Sequence, residues 1–139
     1  MSYQKHLQVY QNSAVQSASP LQLVIMLYDG AIRFMRLGQE AMKQADLYRQ
    51  NEYIQKAQKI VAELMSCLDM QKGGPIAENL FALYTYAYNQ MVQANVEDNE
   101  EALLQSIRVL EQLRESWVEL ERQARSGDTG ENNGEARAA

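Results

Sequence analysis

The 139 residues include only one cysteine, Cys67, one histidine, His6, and two prolines. A lone cysteine cannot close an intramolecular disulfide, and it fits a reducing compartment. One cysteine and one histidine do not make a zinc site. A di-iron bundle, which needs two Glu-x-x-His pairs from core helices, is excluded as well. His6 lies near the amino terminus, off any core helix, so phosphotransfer from a helix face is excluded and the side chain reads as solvated. HExxH, GxxxxGKS/T and GxGxxG are absent, so no catalytic residue, metal or cofactor is assigned.

Cations are also short. Thirteen Lys and Arg stand against eighteen Asp and Glu, a net charge of -5, and their scatter gives no clustered positive field for nucleic acid. The longest apolar run, Leu23 to Tyr28, falls far below the roughly 20 residues that span a bilayer. Met1 to Leu7 lacks a secretory apolar region behind a basic end. The expectation is a cytoplasmic protein without membrane insertion.

What the chain does have is helix. Hydrophobic residues are 46% against 22% charged, enough for one core at this length, and Ala, Leu, Met, Gln and Glu favour helix over sheet. Four segments carry apolar residues at spacings of three and four, each behind a start signal. In Ser19-Pro20-Leu21-Gln22, serine caps, proline suits the first helical position and Gln22 completes a capping box, so a helix is predicted from Pro20 to about Asp46. Asn51-Glu52 opens a second, to about Lys72, stopped by Gly73-Gly74-Pro75. The third runs from Pro75 to about Asn95. Asp98 with Glu101 caps the fourth, to about Arg125. Short connections make the class all-α, an antiparallel up-down four-helix bundle over 20–125. Residues 1–19 form an arm that docks conditionally, and 126–139, polar and glycine-rich, a disordered tail.

Two of the helices carry more apolar surface than one seam needs. The fourth is the control: Leu103, Ile107, Leu110, Leu113, Trp117, Leu120 and Ala124 make one stripe. The second is similar, with Ile54, Ala57, Val61, Leu64 and Leu68, and Cys67 beside them as a small core residue. The first has two stripes: Leu23, Leu27, Ala31 and Phe34, then Leu21, Ile25, Tyr28, Ile32 and Met35. The third adds an aromatic ridge, Phe81, Tyr84 and Tyr88, to its seam. The plain account of the extra stripe is deep burial of the first helix; the other is a groove for an amphipathic partner helix. Asp29 and Arg33 read as an i, i+4 pair, and Gly30 as a close approach of a neighbouring backbone.

The run from Ser19 to Ile32, with Leu23-Val24-Ile25-Met26-Leu27-Tyr28-Asp29-Gly30 at its centre, closely resembles the signature of the FliS family of flagellar secretion chaperones. The similarity continues through Asn51 to Asp69, Gly73-Gly74, Asn79-Leu80, Leu83-Tyr84, Ala94-Asn95 and Leu113-Arg114 with Trp117. It implies a four-helix bundle that binds the disordered carboxy-terminal region of flagellin, prevents premature polymerisation, and assists delivery to the flagellar type III export apparatus. Leu7 and Tyr10 match apolar and tyrosine positions of the family's amino-terminal segment, which contributes to the binding surface. The partner-binding residues expected are therefore Leu7, Tyr10, Leu21, Ile25, Tyr28, Ile32, Met35, Phe81, Tyr84 and Tyr88, in a monomer or weak homodimer. Rival readings are a self-assembling bundle whose second stripe is a dimer interface, and a small enzyme built on the Asp29 and Arg33 strip.

Overall fold

A computed structural model describes residues 18–130, with side chains to residue 127. Helix α1 is Pro20–Lys43, α2 Leu47–Ser66, α3 Met70–Glu97 and α4 Glu100–Gly130. No strand occurs among the described residues. The all-α bundle is as expected. Each helix packs on two neighbours in a ring: α1 on α2 and α4, α3 on α2 and α4.

The first cap forms as read. Ser19 Oγ accepts from the Gln22 amide at 3.2 Å and Gln22 Oε1 accepts from the Ser19 amide at 2.9 Å, so both orphan donors are satisfied. Other boundaries shift. Helix α1 stops at Lys43, because Ala45 takes a positive φ of 57° and the chain turns at once. Asp46, not Asn51, caps α2, accepting from the Arg49 amide at 3.1 Å. Asn99 caps α4 by accepting from the Ala102 amide at 3.1 Å, while Asp98 closes α3 in the left-handed region. Helix α4 continues five residues past Arg125 to Gly130. Once a helix is long, each added residue gains a bond without a new nucleus, so a polar sequence suffices to prolong it.

The Gly73-Gly74-Pro75 break is real but sits inside α3. Asp69 caps a single turn from Met70 to Gly73. The chain then swings at Gly74, whose φ of 52° and ψ of -132° suit glycine alone, and Pro75 starts the long body. Cys67 is not a core residue: α2 ends at Ser66, which leaves Cys67 exposed in the turn.

Tyr28, Met35, Ile54, Ile60, Met91, Leu103 and Leu110 fill the centre. Gly30 and Gly38 let α2 in, since a Cβ at Gly38 would lie 3.0 Å from Ile54 Cγ1 and one at Gly30 3.2 Å from Ile60 Cδ1. The close approach foreseen at Gly30 is thus made by a side chain. On the other side Ser106, buried at a seam position between Leu103 and Leu110, donates to the Ala87 carbonyl at 2.5 Å and draws α4 against α3.

Candidate functional site

At about 100° per residue, Leu21, Ile25 and Ile32 share a flank of α1 with Gln22, Asp29 and Arg36. Those polar residues all reach α4. Gln22 Nε2 donates to Glu121 at 3.0 Å, Arg114 pairs with Asp29, and Arg36 pairs with Glu111 at 2.8 Å. The second stripe of α1 is therefore the side that meets α4, and the first stripe meets α2. Leu21, Ile25 and Ile32 are half-buried at that seam, and Tyr28 and Met35 are wholly inside. Asp29 pairs with Arg114 on α4, and the Arg33 guanidinium lies 5.0 Å from the centre of the Phe34 ring. Plain burial accounts for the double stripe, because a helix packed on two neighbours needs two apolar flanks.

Tyr28 and Tyr84 face each other across the ring and bring α1 and α3 together through their hydroxyls, 2.6 Å apart. Trp117 on α4 donates its indole N–H to the Tyr28 oxygen at 3.0 Å. Three helices are thus tied by one buried polar junction. Tyr84 is consequently a core side chain, a correction to its place in the aromatic ridge: a hydroxyl that finds a partner inside can be buried without penalty. Burial raises the Tyr28 phenol above the ordinary range, with the Tyr84 bond adding to it, and burial raises Tyr84 as well. The neutral phenols belong to the folded state. Their stabilisation is complete below the unfolded tyrosine pKa of about 10 and is lost as pH rises through the folded values. In an alkaline titration, a tyrosinate absorbance step should coincide with loss of helical circular dichroism and be absent from the Tyr28→Phe/Tyr84→Phe variant. Ionisation of both with the helix intact contradicts this.

The apolar surface left over lies on α3. Of the eleven large hydrophobic side chains exposed among the described residues, seven are there: Met70, Ile76, Phe81, Leu83, Tyr86, Val92 and Val96. The core stripe of α3 is Ala77, Leu80, Tyr84, Ala87, Met91 and Ala94. Phe81, Tyr88 and Val92 flank it toward α2, the side on which Asn95 donates to Asn51 at 2.7 Å. Ile76 and Leu83 flank it toward α4, with Tyr86 farther round on the same side. Phe81 is 44% exposed and Tyr88 half-buried, so both keep surface for a partner. Thr85 Oγ1, between Phe81 and Tyr88 in sequence, is buried with no hydrogen-bond partner.

Of the ten expected contact residues, Leu7 and Tyr10 lie outside the described residues. Tyr28, Met35 and Tyr84 have essentially no accessible surface, and Leu21, Ile25, Ile32, Phe81 and Tyr88 retain some. Leu83 and Tyr86, exposed on α3, are not among the contact residues expected from the sequence. The buried polar residues Gln50, Ser106 and Glu121 were also missed, although Ser106 falls on the three-four spacing of its helix. Among the described residues no helix is long and apolar enough to cross a membrane, and no group of His, Cys, Asp and Glu is placed to hold a metal.

The family model described as flagellar protein FliS matches residues 2–124. A flagellar secretion chaperone FliS from Bacillus subtilis is 32% identical over 94% of this chain and 98% of its own length. Those from Vibrio cholerae and Salmonella typhimurium are 35% and 36% identical, covering 86% and 83% of this chain and 88% and 86% of their own.

Proposed function

Since the chain belongs to the FliS family of flagellar secretion chaperones, and is by that membership a chaperone and not an enzyme, we propose that it binds the carboxy-terminal, disordered segment of flagellin in the cytoplasm. By covering that segment it keeps flagellin from polymerising early and assists its delivery to the flagellar type III export apparatus. The observation that carries this reading is the uncovered apolar flank of α3, on a helix whose core stripe is already full.

A ligand helix laid beside α3 meets Phe81, Tyr88 and Val92 on one flank or Leu83 and Tyr86 on the other. Burying each large apolar side chain gains roughly 1.5–3 kcal/mol gross, so two or three anchors already offset most of the roughly 2–5 kcal/mol of ordering a disordered segment. Tyrosines suit a surface that is wet before binding, because the ring is covered while the hydroxyl stays solvated. Leu21, Ile25 and Ile32, half-buried on the α1 side that faces α4, offer less open surface than the exposed side chains of α3. In calorimetry, a peptide of about forty residues from the flagellin carboxy terminus should bind with a large negative heat-capacity change, the signature of folding on binding. Absence of both heat and a mobility shift would leave the flagellin reading without support.

A further inference from the structure

The end of the bundle formed by the α1–α2 and α3–α4 connections carries a second unpartnered surface. Gln50 donates to Asp98 at 2.9 Å and to Asn95 at 3.3 Å, and Asn95 donates to Asn51 at 2.7 Å, which fixes the first turns of α2 beside the last turns of α3. Leu47 lies one turn before Asn51 on that side, Tyr48 follows it, and Val96 follows Asn95. These three are 60%, 78% and 76% exposed. Only one other large apolar side chain among the described residues is more than half exposed, Ile76 at the opposite end. Nothing in the core stripes of α2 or α3 requires apolar residues here, and polar ones would be expected on such open positions.

The charge of the molecule is concentrated at the same place. Segments 39–52 and 92–105 hold seven Asp and Glu against Lys43 and Arg49, a balance of -5 that equals that of the whole chain, so the remainder is neutral. Arg49 is engaged with Asp46 and Lys43 with Glu100, while Glu52 and Glu101 are paired with Lys56 and Arg108 just beyond these segments. Glu97 and Asp98, which follow Val96, accept only from Gln93 and Gln50 and have no ion-pair partner among the described residues. An apolar patch rimmed by unneutralised carboxylates selects its occupant by sign. A second copy of this chain would bring the same acidic rim against itself.

We propose that this end of the bundle docks a basic amphipathic segment of a partner protein, one that presents a few apolar side chains flanked by Lys or Arg. The contact is separate from flagellin binding along α3 and does not depend on it. Leucine inserts among Leu47, Tyr48 and Val96, and the cations meet Glu97 and Asp98.

The test uses the full chain and two synthetic helical peptides with leucine at i, i+3, i+4 and i+7, one with lysine and the other with glutamate at the remaining positions. Fluorescence anisotropy should show binding of the lysine peptide alone, and added salt should weaken it. Tyr48→Ser with Val96→Ser should weaken it by about tenfold or more, and Glu97→Lys by several-fold. Ile76→Ser, at the opposite end, should leave lysine-peptide binding unchanged. Circular dichroism should remain as in the parent chain for each variant, and Tyr48→Ser alone, on α2, should leave flagellin-peptide binding unchanged, showing that the bundle and the α3 surface are intact. Equal binding of both peptides, equal loss with Ile76→Ser, or indifference to Tyr48 and Val96 would overturn the proposal. So would a concentration-dependent dimer that the Tyr48 and Val96 substitutions dissolve, since the patch would then be a contact between copies.

Discussion

Tyr28→Ala is expected to lower the unfolding free energy by about 3–5 kcal/mol, the range for removing a large aromatic from a packed core. Tyr28 has no accessible surface, and its ring stands 6.2 Å from that of Tyr84 and 6.4 Å from that of Trp117. Truncation opens a cavity where α1, α3 and α4 meet. It also leaves the Trp117 indole N–H without its acceptor and the Tyr84 hydroxyl without its neighbour. Tyr28→Phe separates the two contributions: the ring stays, the polar junction goes, and the expected cost is about 1–3 kcal/mol. Urea unfolding followed by Trp117 fluorescence and circular dichroism measures both. A loss below about 1 kcal/mol for the alanine variant would show that the junction is not where the helices are held.

Charge on both flanks of α3 should have the opposite signature, with stability preserved and binding lost. Phe81→Asp with Leu83→Asp is expected to weaken the flagellin peptide by about 30-fold or more, equivalent to about 2 kcal/mol, because each carboxylate must be desolvated where an apolar anchor should insert. Both side chains are already exposed, so helicity and the unfolding midpoint should hardly move. Ile25→Asp is the informative contrast. Its side chain lies on the seam with α4, and its main effect should be on stability. Normal peptide binding by a folded Phe81/Leu83 variant would remove α3 from the binding surface. A charge at Tyr84 would report on folding only, since that side chain is interior.

The contrast between Ile25 and Phe81 shows what a sequence can and cannot convey about such a surface. The double stripe of the first helix was visible as periodicity. Whether it meant a groove or a neighbour depended on which helix lay beside it, and the ion pairs of Asp29 and Arg36 with α4 supply that answer. The ridge of Phe81, Tyr84 and Tyr88 was legible as three aromatics at helical spacing. Its splitting into one core and two flank positions follows from the Tyr28 hydroxyl waiting across the bundle for Tyr84.

The sequence by itself determined the number of helices, the Ser19 cap, a break at Gly73-Gly74-Pro75 and the want of catalytic parts, because these depend on residues a few positions apart or on simple composition. The exposed ends at Leu47, Tyr48 and Val96, the burial of Ser106 and Glu121, and the transfer of surplus apolar surface from α1 to α3 were decided only by tertiary structure. A helical period fixes which residues share a face. It does not say what that face will meet, and exposure is a property of the assembled pair.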